Sequence, residues 1–160
     1  MIAVLQRVNS AAVYADGEFS GEIGKGLYIL LGVEKNDEKY DAELLAEKIA
    51  KLRIFCDENG KMNLSVNDID GEAMIVSNFT LSANYSHGNR PDYFNAAAPD
   101  MANELYSYFV YLMKERVKNC ATGKFGADMQ TKMETNGPVT IIMNSNVLKK
   151  KGKSSNDTSH

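Results

Sequence analysis

Tryptophan is absent from this chain, and cysteine, histidine and proline are scarce, at two, two and three residues in 160. Two cysteines, Cys56 and Cys120, make no disulfide framework, and no Cys-x-x-Cys pair occurs. The supply of His and Cys is too thin and scattered for a structural zinc site, so no metal is expected. Nothing approaches the run of about 18 apolar residues that a membrane helix requires. Arg7 interrupts the N-terminal segment before the apolar stretch of a signal peptide could form. A strong charge of either sign is also missing. The net charge is −3. The last sixteen residues hold Lys149, Lys150, Lys151 and Lys153 against Asp157 alone, a net +3, which leaves −6 for the body. An acidic body argues against broad binding to nucleic-acid phosphates, but allows a local grip on one RNA end. The expectation is a cytoplasmic protein with both thiols free, away from membranes and DNA.

What is present suits one domain. Apolar residues make up 44% and charged residues 24%, both near the globular average. Ile2 to Val8 reads as a strand. Ala11 to Ala15 and Glu18 to Ile23 flank Asp16-Gly17, a strong two-residue hairpin signal. Leu27 to Val33 is an almost unbroken apolar run, the mark of a strand buried on both faces. Asp37 is a plausible N-cap for a helix reaching about Phe55, with Leu45, Ile49 and Leu52 on one side. Lys61–Val66 and Glu72–Asn78 read as short strands. Residues 82–98 form a long loop of the kind that usually serves function. Pro99-Asp100 opens a second helix, with Met101, Leu105, Phe109, Leu112 and Val117 on its inner side. Gly123–Thr135 and Pro138–Asn144 are expected to pair as strands about a turn at Asn136-Gly137. These elements predict an α+β domain, antiparallel and β-barrel-like, with two covering helices. It spans 1–145, and 146–160 is a Lys-rich tail expected to be disordered.

Several apparent motifs fail. Gly21 to Gly26 lacks the first Gly and the Ser/Thr of a phosphate-binding loop. His87 has no convincing triad context, and neither cysteine has an evident base beside it. Two segments stand out. Ser77-Asn78-Phe79-Thr80 places polar side chains at the end of the buried strand Ala73–Val76, although an ordinary strand end caps its backbone with the same residues. Asn136-Gly137-Pro138-Val139-Thr140 combines a residue that lets another molecule approach closely with one that can hold a cis peptide bond. A plain hairpin turn reads the same way.

In order and spacing, these segments make the chain resemble the D-aminoacyl-tRNA deacylase family. The resemblance runs from Gln6-Arg7-Val8 through Asp16-Gly17, Gly24-Lys-Gly26-Leu, Leu31-Gly-Val33, Lys35-Asn36-Asp37 and Leu52-Arg53. It continues through Ser77-x-Phe-Thr80, Gly88-x-Arg-Pro-Asp92, Gly123-x-Phe-Gly126-Ala-x-Met129 and Asn136-Gly-Pro-Val-Thr140, about residues 1–145 in all. Asn78 departs from the family's Gln: the amide is the same but the arm is one methylene shorter.

The resemblance implies hydrolysis of the ester between a D-amino acid, or glycine, and the terminal ribose of tRNA. This is chiral proofreading in translation quality control. It implies a homodimer with sites at the subunit interface and no cofactor. Gly137-Pro138 would be a cis motif whose main chain blocks an L side chain in the partner's pocket. Arg7 would orient it, and Asn136 and Thr140 would fix its turn. Ser77, Asn78, Phe79 and Thr80 would be the catalytic segment, with main-chain N–H groups near Phe79 and Thr80 stabilising the oxyanion. Arg90, Lys124 and Lys132 are candidate phosphate contacts for the tRNA 3′ end, with the basic tail as an auxiliary arm. Two other readings remain open: an esterase with Thr80 as nucleophile, and a non-catalytic relative that binds tRNA ends.

Overall fold

The computed structural model describes residues 1–153. Strand β1 (Ile2–Ala15) is the spine. It turns at Asp16 and Gly17, both at positive φ (49° and 82°), into β2 (Glu18–Ile23). Positive φ at both central residues is what a tight hairpin matching the strand twist requires. Strand β3 (Gly26–Gly32) then runs antiparallel beside the first half of β1, and is buried along nearly its whole length. Helix α1 (Lys39–Lys51) follows, then the short pair β4 (Phe55–Cys56) and β5 (Met62–Leu64). Next come β6 (Glu72–Ser77), a 3₁₀ turn at Phe79–Ser82, α2 (Pro99–Arg116), β7 (Cys120–Thr122), β8 (Met129–Asn144) and α3 (Ser145–Lys153).

The main sheet has the order β2-β1-β3-β6-β7, with β8 on the other edge of β1. It is mixed. β1 is antiparallel to β2, β3 and β8, but β3 pairs with β6, and β6 with β7, in parallel. This corrects the all-antiparallel expectation. A crossover carrying α1 joins β3 to β6 and one carrying α2 joins β6 to β7, and long helical crossovers bring the chain back in the same direction. The sheet curls into a nearly closed barrel: Ser20 Oγ in β2 donates to the Thr122 carbonyl at the end of β7, 2.7 Å away.

Two cores result. Inside the barrel lie Val8, Ala11, Val13, Ile23, Tyr28, Met74 and Val76. Outside it, α1 and α2 pack over Ala3, Leu5, Leu27, Ile29, Leu31, Ala73 and Ile75, with Leu45, Ile49, Phe109 and Met113 fully buried between. β1 serves both: Ala3 and Leu5 face the outer core, while Val8, Ala11 and Val13 face the inner one, the strand changing phase between Val8 and Ala11, where its register with β8 also shifts.

Other expectations are revised. Asn136-Gly137 is not a hairpin turn, because both flanking segments belong to the single strand β8 and both pair with β1. Glu38, not Asp37, caps α1, in a reciprocal exchange with Asp41. Asp37 instead receives the buried Met1 ammonium at 2.6 Å. The domain has three helices among the described residues, not two. Where a disordered tail was expected, Ser145–Lys153 form α3; residues 154–160 lie outside the described residues. Ser145, fully buried, donates from Oγ to Asp41 at 2.6 Å, and the Lys149 ammonium sits 2.8 Å from the same carboxylate. A charged carboxylate in the interior needs such partners, and they anchor α3.

Candidate functional site

A pocket of about 680 Å³ opens into the barrel, a size and position usual for small-ligand sites. Its inner wall is Tyr28, Leu30, Val76, Met129 and Thr131. Its rim is Ser77, Asn78 and Phe79 on one side, and Tyr93, Pro99, Phe125 and Gly126 on the other. No charged side chain lines it. The site therefore suits a neutral group with apolar faces rather than a phosphate.

The rim is built where β6 ends. Asn78 N–H still donates to the Leu31 carbonyl of neighbouring β3, at 2.8 Å. The chain then turns into the 3₁₀ segment, with Asn78 as its cap. Asn78 Oδ1 accepts from Thr80 N–H at 3.2 Å and from Thr80 Oγ at 2.5 Å. An amide oxygen cannot take the hydroxyl proton as a base would. The observed contact thus holds Thr80 in place without activating it. Phe79 is 58% exposed and packs edge-on against Tyr93, ring centroids 5.1 Å apart.

The second predicted group lies elsewhere on the chain. Gln6 faces Thr140 and Val8 faces Thr135, so Arg7 alone stands opposite the four residues 136–139. β8 bulges outward there. Gly137 has φ 144°, the peptide bond to Pro138 is cis, and both residues are exposed. Arg7 lies beneath, 9% exposed, with Nε donating to the Asn136 carbonyl and one terminal nitrogen to the Ile54 carbonyl, each at 3.0 Å. A longer contact, 3.4 Å, reaches Asn136 Oδ1. The fixed fork of the guanidinium joins two segments that a single ammonium could not span. Asn136 Nδ2 in turn donates to Asn9 Oδ1 at 3.1 Å. None of Arg7, Asn136, Gly137, Pro138 and Thr140 lines the pocket of the same chain.

The expected phosphate contacts are dispersed. Arg90 is exposed in the 82–98 loop. Lys124 borders a small separate depression with Asp16 and Phe19. Lys132 stands on the face of β8 opposite Thr131, its ammonium 5.2 Å from the Tyr14 ring centre. Burial pushes the Cys120 thiol up to about 11, so it remains protonated and a poor nucleophile. No cluster of three metal-ligating side chains occurs among the described residues.

Sequence reading did not assign Tyr28, Tyr93, Phe125, Met129 and Thr131 to the site. One signal was available: Tyr28 is a lone phenol inside an otherwise apolar strand.

The family model for D-Tyr-tRNA(Tyr) deacylase matches residues 4–144. The chain belongs to that family. Among its relatives, a D-aminoacyl-tRNA deacylase of Persephonella marina is 53% identical over 148 residues, covering 92% of this chain and all of the relative. One from Haemophilus influenzae (strain 86-028NP) is 51% identical over 144 residues, covering 90% of this chain and 99% of the relative. A solved structure named c-Myc DNA Unwinding Element Binding Protein superposes with a TM-score of 0.84 at 39% identity, covering 90% of this chain and 98% of that one. A probable eukaryotic D-amino acid tRNA deacylase superposes at 0.79 with 12% identity, covering 89% and 97%, a likeness of fold. The family match takes in both the Ser77–Thr80 rim and the Asn136–Thr140 bulge.

Proposed function

We propose that this protein hydrolyses the ester of D-aminoacyl-tRNA, and of glycyl-tRNA, releasing the amino acid and leaving L-aminoacyl-tRNA intact. The family match over residues 4–144 carries the reading. The neutral pocket, with Ser77–Phe79 at its rim, supports it. The terminal nucleoside enters the pocket, and the ester carbonyl lies at the Phe79–Thr80 main chain. The Phe79 N–H, joined by the Thr80 N–H once it leaves Asn78 Oδ1, stabilises the tetrahedral oxyanion, a contribution of about 10²–10³ in rate for each donor. Water attacks, helped by the 2′-hydroxyl of the tRNA. Thr80 positions rather than attacks, in keeping with its bond to an amide oxygen. No cofactor takes part.

Chirality is read by main chain. The Gly137-Pro138 bulge of a second copy projects into the pocket and occupies the space an L side chain would need. Glycine passes because it has no side chain to exclude. The exposed position of the bulge, away from its own chain's pocket, is what a motif serving a partner subunit requires. Arg7, by its bonds to Asn136 and Ile54, holds the bulge in its projecting conformation. Arg90 and Lys124 meet tRNA phosphates near the 3′ end, and Lys132 is a weaker candidate because of its placement.

The test is to incubate the protein with matched D- and L-tyrosyl-tRNA and follow ester loss. Loss of the D form alone is expected. Loss of both keeps hydrolysis but removes the chiral role of the bulge. Binding without loss of either makes the protein a non-catalytic tRNA-end binder. A burst of acyl-enzyme would restore Thr80 as nucleophile.

A further inference from the structure

The barrel pocket is apolar except at one place on its inner wall. There the Tyr28 hydroxyl and Thr131 Oγ lie 3.0 Å apart, joining β3 to β8. Tyr28 is 5% exposed and Thr131 half-buried. Either hydroxyl can donate to the other, so after their mutual bond the pair keeps one free O–H and several lone pairs. Burial raises the Tyr28 phenol above its ordinary value, and the Thr131 bond only partly offsets this, so the phenol stays neutral and a donor at working pH. Around the pair stand Leu30, Val76 and Met129, with Phe125 further out. A ligand that satisfies such a wall has flat apolar faces, a hydrogen-bonding edge and no charge.

Resting on the function proposed above, we infer that the Tyr28–Thr131 hydroxyl pair reads the polar edge of the terminal nucleobase of the tRNA. Two parts of the substrate could offer a neutral ring to this pocket: that base, or the side chain of an aromatic amino acid. The observations favour the base. A hydrogen bond of fixed geometry, built from two strands, is useful against the part of the substrate that never varies. An enzyme that accepts different D-amino acids, glycine included, meets a different side chain each time but the same terminal base. The amino-acid end must also sit at the Ser77–Phe79 rim, where the main-chain donors are. That leaves the inner wall for the nucleoside.

The experiment compares the wild type with Tyr28→Phe and Thr131→Val, which remove a hydroxyl and keep the shape. Hydrolysis is followed on D-tyrosyl- and D-alanyl-tRNA, and each variant is melted in parallel. Tyr28→Phe is expected to raise KM roughly 3–10-fold, the scale of one hydrogen bond. The factor should be the same on both substrates, with kcat nearly unchanged, as loss of a contact made equally in ground and transition states requires. A loss confined to D-tyrosyl-tRNA overturns the assignment by placing the side chain at the pair. A lower melting temperature with unchanged KM also overturns it, by showing a purely structural bond. Binding of uncharged tRNA, with and without its terminal nucleotide, is measured in the same variants. Tyr28→Phe should weaken the intact tRNA and leave the shortened one unaffected. Equal weakening of both refutes base reading. This arm stands even if no ester is hydrolysed, which would count against the proposed function instead.

Discussion

Replacing Arg7 by Lys should separate the two tasks this side chain performs. In the native protein the guanidinium donates to the Ile54 carbonyl and the Asn136 carbonyl, each at 3.0 Å, in directions set by its planar fork. A lysine ammonium keeps the charge but is a single point and reaches one of the two. The other carbonyl, in a site where Arg7 is 9% exposed, loses a charge-assisted bond. Such a loss costs about 1.5–3 kcal/mol. For a domain of this size each kcal/mol lowers the melting temperature by about 2–4 °C, so a drop of roughly 3–12 °C is expected. Total stability for such a domain is about 5–15 kcal/mol, so the variant should still fold. Its chirality should suffer more than its stability, because Asn136 begins the bulge and its carbonyl is one of the two tethered points. Thermal unfolding measures the first effect. The ratio of D- to L-tyrosyl-tRNA hydrolysis measures the second, and it should fall. An unchanged melting temperature would refute the energetic assignment. A lowered melting temperature with an intact D-to-L ratio would refute the positioning role and leave Arg7 as a structural strut.

Gly137→Ala places a Cβ against the backbone nitrogen of Val139, at a φ of 144° that side chains rarely adopt. The exposed bulge should shift while the fold survives, lowering hydrolysis of the D substrate in a variant that melts normally. Tyr106→Phe removes the donor to the buried Ile75 carbonyl, 2.8 Å away, which keeps a weaker bond from Gly123 N–H at 3.3 Å. The expected cost is about 0.5–1.5 kcal/mol, or roughly 1–6 °C in melting temperature. The attachment of α3 should depend on pH at both extremes. Burial would raise the Asp41 carboxyl, but bonds from Lys149, Ser145 and the Glu38 N–H outweigh it and hold it below the usual carboxylate range. Its contribution is therefore complete above about pH 4 and lost as pH falls through its lowered value. The Asp41 bond raises the Lys149 ammonium. Its share is complete below about pH 10 and lost as pH rises through its raised value. Amide exchange in Ser145–Lys149 across these windows tests this, and Asp41→Asn should flatten the acid limb.

How legible each feature was depended on how local its cause is. The β1–β2 hairpin could be read from Asp16-Gly17 because a two-residue turn is decided by the φ of its own residues. The buried strand β3 was visible as an apolar run, and the start of α2 as a proline at a first-turn position. The same local reasoning failed at Asn136-Gly137-Pro138, which has the composition of a hairpin turn. There β8 continues along β1, because pairing with a strand more than a hundred residues away outweighs the turn preference of three residues. The anchoring of α3 was hidden for a similar reason. A short Lys-rich stretch looks solvated until Asp41, far away in sequence, turns out to be a buried charge in need of partners.

The chain alone thus determined the hairpin, the helices α1 and α2, the resemblance to a deacylase family and the two segments to watch, since each rests on neighbouring residues or on a fixed order of motifs. Tertiary structure decided which faces those segments present. It set the bulge of β8 over Arg7, withdrew Thr80 into a bond with Asn78, and brought Tyr28 beside Thr131 in a neutral pocket. These are encounters between residues up to about 130 positions apart, and they exist only once the sheet has curled and closed.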